Sequence, residues 1–381
     1  MHEPEIPYGR QSIDDEDIAA VVEVLRSDYL TTGPAVPAFE DALVGVTGAA
    51  HAVAVNSGTS ALHAMYFAAG IGAGDEVVTT PLTFAATANA ALYLGASVRF
   101  ADVEAETGNI DPACVEEMIT PRTRAIVAVD YTGAPADYDR LSEIASRHGI
   151  ALMADAAHSL GASYHGRAVG TLADASALSF HPVKPITTAE GGAVLTNDAG
   201  IAERAAMFRT HGITRDAGRM EANEGGWHYE MHELGYNYRL TDLQAALGRS
   251  QLRHLNAFID RRRVIAARYL AAFADLVGLA LPAVSDGVES GWHLFVVRVS
   301  EASARRRVFD RLHALGIKVQ VHYIPVHLHP YYRGLGFERG LCPVAEGFAA
   351  RAISLPIFPR MTDGDVNRVI EAVRAVVAEE G

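Results

Sequence analysis

Ile150-Ala151-Leu152-Met153-Ala154-Asp155-Ala156-Ala157-His158-Ser159 decides the fold. The apolar run up to Asp155 shows no polar alternation, as expected of a strand covered on both faces in a parallel sheet. Working outward, similar short runs recur at His51–Asn56, Glu76–Thr80, Ser97–Val103, Ala125–Asp130, Ala177–Phe180 and Gly192–Thr196. Amphipathic helical patterns separate most of them, for example Ala61–Ala69, Ala85–Leu94 and Tyr138–His148. Strands alternating with helices predict an α/β layer with a mostly parallel sheet between helices.

On either side of this block the pattern changes. Before it come an extended arm, a helix that Ser12 and Asp15 would open as a capping box, and a Thr31-Thr32-Gly33-Pro34 turn. After residue 240 two helical stretches are expected, about 241–255 and 258–276. A strand Trp292–Val299, an arginine-rich helix about 302–315, a strand Lys318–Tyr323 and a last helix after Thr362, boxed by Asp365, complete the chain. The expected division is 1–254 for the arm and large domain and 255–381 for a small α+β domain. The polar stretch around 214–230 reads as a loop.

Composition narrows the function classes. The chain has 381 residues, 49% apolar and 20% charged, which is globular. No apolar run spans a bilayer, and the start of the chain lacks the basic and apolar stretches of a signal peptide. Two cysteines, Cys114 and Cys342, exclude a disulfide scaffold and fit a reducing cytoplasm. A net charge of −14 argues against nucleic-acid partners. Of 32 basic residues only Lys184 and Lys318 are lysines. A retained lysine reads either as drift or as an amine whose chemistry arginine does not supply.

Ligands of open α/β sheets sit beyond the carboxyl ends of the strands. Asn56-Ser57-Gly58-Thr59-Ser60 lies between a strand and a helix, where free N–H groups suit a phosphate, although an ordinary βα connection reads the same way. Asp155 ends its strand as a partner for a cationic ring nitrogen or as a cap on the next turn. His158 follows, either lining the same pocket or simply packed. Lys184 stands between Pro182 and Pro185 just past the strand ending at Phe180, 29 residues after Asp155, with Gly191-Gly192 beyond. A rigid lysine among apolar neighbours has a lowered pKa and forms Schiff bases. With the aspartate and the phosphate loop it matches the needs of pyridoxal phosphate (PLP). His327 and His329 lack a nearby cysteine or carboxylate, so no metal centre is expected.

Ser57–Leu62, Thr80–Phe84, Asp155–His158, Ser179–Lys184, Glu190–Ala193 and Leu234–Asp242 resemble the DegT/DnrJ/EryC1/StrS sugar aminotransferases, in order and over nearly the whole chain. The resemblance implies an aspartate aminotransferase-like, fold-type-I PLP enzyme with a large mostly parallel mixed sheet and a smaller α+β C-terminal domain. It also implies a cytoplasmic homodimer with shared active sites, transferring an amino group from L-glutamate to a nucleotide-linked keto-sugar. Carried over by position, Lys184 is the Schiff-base lysine, Asp155 the ring-nitrogen partner and Phe84 the stacking aromatic. Gly58, Thr59 and Ser179 are phosphate ligands. Asn237 reaches the phosphate from the other subunit, and His158 stands where many members carry glutamine. Tyr8, Thr31, Thr32, His181, His322 and Tyr323 are candidate sugar contacts; His322 and Tyr323 read equally as packing within the small domain.

A finer likeness is to the branch acting in pseudaminic acid biosynthesis, carried by His181…Lys184–Gly192, Val129–Gly133 and Gln320–Pro325. It implies amination at C4 of a UDP-linked 4-keto-6-deoxy-N-acetylhexosamine. The alternatives are other nucleotide sugars, perosamine-type GDP or dTDP-linked 4- or 3-keto sugars, and a PLP-binding regulator without turnover. A nicotinamide dehydrogenase is disfavoured because GxGxxG is absent after the first strand.

Overall fold

The computed structural model describes residues 4–380. Met1, His2 and Glu3, part of the start read above for a leader, lie outside the described residues, as does Gly381. The centre is a seven-stranded sheet. Its strands run in the order His51–Val55, Gly192–Thr196, Ala175–Ser179, Ala151–Asp155, Thr123–Val129, Glu76–Thr79 and Ser97–Phe100. Gly192–Thr196 alone is antiparallel to its neighbours, so the other six strands end on one edge. Side chains alternate between the faces as a pleat requires. Val53, Val55, Val77, Ala125 and Val127 enter one core, while Ala54, Val78, Ile126 and Ala128 enter the other.

All seven expected strands form, Gly192–Thr196 with the expected bounds and the others with ends shifted by at most three residues. The first helix differs from expectation. It runs Asp15–Leu25, and the capping box is Asp14 with Asp17 rather than Ser12 with Asp15. Asp14 Oδ1 accepts from Glu16 N (2.9 Å) and Asp17 N (3.0 Å), and Asp17 Oδ2 accepts from Asp14 N (3.2 Å). Asp caps as well as Ser, and Gln251 Nε2 holds the Ser12 carbonyl at 2.8 Å, keeping Ser12 outside the helix.

The two helices expected after 240 are one, Asp242–Phe273, opened by a Thr241/Gln244 capping box. No proline or glycine separates the two apolar patterns, so the backbone bonding continues. Leu252, Leu255 and Ile259 of this helix enter a large-domain core, whereas Ile265, Ala266, Tyr269 and Phe273 enter a third core. That third core packs beneath the sheet Leu279–Ala280, Phe295–Val299 and Ala352–Leu355. The passage between cores therefore falls inside the helix. Lys318–Tyr323 is not a strand; only Gln320 pairs, with Ser354. Ile6 of the N-terminal arm bridges Ile317, tying the arm to this region. The polar stretch 214–230 closes as a short ladder, Ile213–Thr214 against Glu230–Met231.

Candidate active site

Strand ends, the N-terminal arm and the segments carrying His293, His322 and Tyr323 enclose a cavity of about 430 Å³. Its floor comes from the sheet. Asp155, the last residue of its strand, is 6% exposed. Oδ2 accepts from Thr87 Oγ1 at 2.6 Å and Oδ1 from Ala157 N at 3.2 Å. Burial raises the pKa of this carboxyl, and the Thr87 hydroxyl and the Lys184 ammonium oppose the rise. Lys184 is half-buried on the loop past the neighbouring strand, and its ammonium makes no hydrogen bond or ion pair among the described residues. Burial lowers its pKa to about 8, with Asp155 pulling upward. The cavity thus holds an amine part-unprotonated near neutral pH, facing a buried carboxylate.

One end of the cavity is built for an anion. The helix Gly58–Ala68 starts here, and its cap spends the Ser57 hydroxyl on Ser60 N at 3.0 Å. Among the described residues the Gly58 and Thr59 N–H groups have no acceptor, at the positive end of the helix. Gly58 lies so close to Ser179 that a Cβ would stand 2.8 Å from the Ser179 Cβ. Only glycine lets the strand-end hydroxyl and the helix N-terminus converge on one oxyanion.

The remaining wall is aromatic and imidazole. Phe84 is 62% exposed, a large apolar ring left uncovered at the cavity. Tyr323 Oη and His158 Nε2 are 3.1 Å apart, with near-parallel rings. His158 Nδ1 is buried without a partner. His293 stands against His158 with ring centroids 4.4 Å apart, and its own Nδ1 is likewise unpartnered. Burial holds both imidazoles well below their usual range. His322 bonds Ser354 Oγ through Nδ1 at 2.8 Å, and burial lowers its pKa to about 4. Tyr8 lies against His322, and His181 lines the mouth.

Eleven of the fourteen residues singled out in the sequence therefore line one cavity. Thr31, Thr32 and Asn237 do not. The threonines lie by the N-terminus of the long helix, where Asp242 holds Gly33 N and Ala35 N at 2.8 Å each. Asn237 is exposed beside Asn56, and the rings of its chain neighbours Tyr236 and Tyr238 stack on each other. Sequence reasoning missed Thr83, Thr87 and His293. Thr87 carries no signal of its own beyond its place three residues after Phe84. His293 stood out only as an imidazole within the apolar run Trp292–Phe295.

These groups fit PLP. The free N–H groups and the Gly58 gap suit its phosphate, the buried carboxylate its ring nitrogen, Phe84 its face and the lone amine its aldehyde. Fold and site together define a fold-type-I PLP-dependent aminotransferase. The model of the DegT/DnrJ/EryC1/StrS aminotransferase family matches residues 11–374. Spore coat polysaccharide biosynthesis protein SpsC of Bacillus subtilis is 42% identical over 377 residues, covering 98% of this chain and 97% of SpsC. Helicobacter pylori PseC, an aminotransferase involved in the biosynthesis of pseudoaminic acid, matches with a TM-score of 0.92 and 35% identity, covering 98% of this chain and all of that one. Streptococcus pneumoniae Spr1654, assigned as a sugar aminotransferase and solved in its PLP form, matches with a TM-score of 0.93 and 30% identity, covering 99% and 100%. The chain belongs to the DegT/DnrJ/EryC1/StrS family and is a PLP-dependent sugar aminotransferase.

Proposed function

We propose that this enzyme moves an amino group from L-glutamate to C4 of a UDP-linked 4-keto-6-deoxy-N-acetylhexosamine, giving UDP-4-amino-4,6-dideoxy-N-acetyl-β-L-altrosamine. The observation that carries the reaction type is the Lys184 amine, without hydrogen bond or ion pair among the described residues, sharing one cavity with buried Asp155. The likeness to PseC supports the sugar. PLP, when bound, supplies an electron sink that lets an amino group pass between two carbon skeletons. Lys184 would hold the cofactor between turnovers, and its freed Nζ would take the proton from the donor's α-carbon and deliver it on the cofactor side, the reverse transfer serving the sugar. Asp155 keeps the ring nitrogen protonated. Phe84 and His158 orient the ring, and Gly58, Thr59 and Ser179 bind the phosphate. Tyr8, His181, His322 and Tyr323 face the sugar.

The enzyme acts as a homodimer in which Thr31, Thr32 and Asn237 serve the partner's cavity. Large apolar side chains near Asn237 support this: Trp227 is 72% exposed and Leu234 78%, with Tyr229 and Met231 also uncovered. The work site is the cytoplasm, where nucleotide sugars are made, and the two free cysteines accord with it.

A second reading, amination of another nucleotide sugar, is favoured by the likeness to SpsC, whose described role is in spore coat polysaccharide. Incubation with PLP, L-glutamate and UDP-2-acetamido-2,6-dideoxy-β-L-arabino-hexos-4-ulose, followed by mass spectrometry, separates them. The amine mass, absent with Lys184→Arg, is the expected result. Conversion of bound PLP by glutamate without any amine from this sugar transfers the assignment to the second reading.

A further inference from the structure

Arg262 is the largest fully buried side chain, 1% exposed, inside the long helix. Among the described residues no carboxylate pairs with it. Burial lowers its pKa only to about 10, so it stays charged at neutral pH. An unpaired buried charge is costly, and an apolar residue of that size would fill the space more cheaply. Main-chain carbonyls replace the counter-ion. Nη1 donates to Ile357 O at 2.7 Å and lies 3.3 Å from His293 O and 3.4 Å from Trp292 O. Nη2 points to Val183 O at 3.5 Å.

Those carbonyls are not a random set. Val183 precedes Lys184. His293 lines the cavity wall against His158. Ile357 N donates to Tyr8 O at 3.2 Å, and Gly9 of the same arm packs on Val183 so closely that a Cβ would stand 3.2 Å from it. One guanidinium therefore meets the Lys184 loop and the His293 segment, and reaches the N-terminal arm through Ile357. These segments line the cavity without belonging to the sheet. A planar fork with five donors reaches several carbonyls at once; an ammonium does not.

We propose that Arg262 is a positioning residue for the Lys184 amine, clamping the Lys184 loop and the small-domain wall together around the cofactor cavity. The proposal rests on Lys184 being the cofactor lysine, as argued above. With the clamp intact the amine stays in its desolvated place; without it the loop loosens and water reaches Nζ.

The low lysine content makes the test direct. Only Lys184 and Lys318 are amines on side chains, and Lys318, which pairs with Glu5 at 2.8 Å and does not line the cavity, is an internal reference. Competitive labelling of the full-length apoenzyme across pH, read by mass spectrometry, gives the titration of each. In Arg262→Met the Lys184 midpoint should rise from near 8 by a unit or more while Lys318 stays put. The rate of the L-glutamate half-reaction of the PLP-loaded enzyme should fall at least tenfold, with Arg262→Lys between Met and wild type. A folded Arg262→Met protein with wild-type Lys184 titration and half-reaction rate overturns the proposal, whatever its melting temperature. So does failure of both variants to fold, which would make Arg262 a folding residue. If borohydride reduction of wild-type holoenzyme does not trap the cofactor on Lys184, the underlying reading fails instead, before any variant is compared.

Discussion

Thr87→Val isolates how Asp155 is kept ionised. Thr87 is fully buried and has one hydroxyl proton, which it donates to Asp155 Oδ2 at 2.6 Å; Thr83 Oγ1, 2.8 Å away, then donates to Thr87. Valine keeps the shape and removes the donor. A hydrogen bond to a charged group contributes roughly 1.5–3 kcal/mol. That corresponds to about 1–2 pKa units at about 1.4 kcal/mol each. Burial already raises the Asp155 carboxyl, so losing Thr87 raises it further. The acid limb of kcat/KM should move up by about 1–2 units. Activity falls most at low pH and recovers above the shifted limb. A carboxyl with a raised folded pKa contributes stability at low pH that is lost as pH rises toward that pKa. The Tm gap between variant and wild-type apoenzyme should therefore be widest near pH 8 and close toward pH 4. Thr87→Ser should restore both profiles. An unmoved acid limb with a pH-independent Tm gap would refute the reasoning and reduce Thr87 to packing.

Gly58→Ala places a Cβ 2.8 Å from Ser179 Cβ and 3.0 Å from Ser179 Oγ, so the anion cradle must open. The Kd for PLP should rise about 10- to 100-fold; unchanged affinity in a fluorescence titration counts against phosphate binding there. Asp130 is fully buried, its pKa raised to about 7 by burial against hydrogen bonds from Ser159, Tyr138 and Ala136. The folded protein then holds a proton that the unfolded chain releases, and wild-type stability falls as pH rises from about 4 to 7, by at most about 4 kcal/mol. Asp130→Asn should flatten the Tm profile over that window; equal slopes in both proteins would contradict this.

The legible parts of this molecule are those set by local pattern. Strands buried on both faces read as continuous apolar runs, and the large sheet was recoverable from them. Lys184, Asp155 and the Gly58 loop lie at or just past strand ends, so their meeting at one cavity was recoverable too. Helix starts were less so. Asp14, Asp15, Glu16 and Asp17 offer overlapping caps, and the choice turns on a distant contact, Gln251 with Ser12. Lys318–Tyr323 has the composition of a strand but only one paired residue, because pairing depends on what Ala352–Leu355 offers it. Thr87, His293 and Arg262 act through contacts 68, 135 and 79 residues away in the chain, with Asp155, His158 and Val183. No spacing rule links those positions.

The two sides of the cavity differ in charge as well as origin. The sheet side holds Asp155, Lys184 and the N-terminus of Gly58–Ala68, all polarised toward a charged cofactor. The wall supplied by buried His158 and His293 and half-buried His322 and Tyr323 is neutral at physiological pH. Among the described lining residues there is no arginine. Neutral imidazoles and phenols both donate and accept hydrogen bonds, and their faces stack on apolar ring surface. Such a wall suits an uncharged deoxyhexose ring. On the proposed function, sugar specificity depends on the orientation of these neutral groups, which side-chain hydrogen bonds help to fix: His158 by Tyr323 and His322 by Ser354. Tyr323→Phe, which frees His158 Nε2, should therefore weaken discrimination between keto-sugars more than it slows the glutamate half-reaction. Comparison of kcat/KM for two nucleotide sugars against the half-reaction rate checks this, and an equal loss in both would assign Tyr323 to the cofactor side.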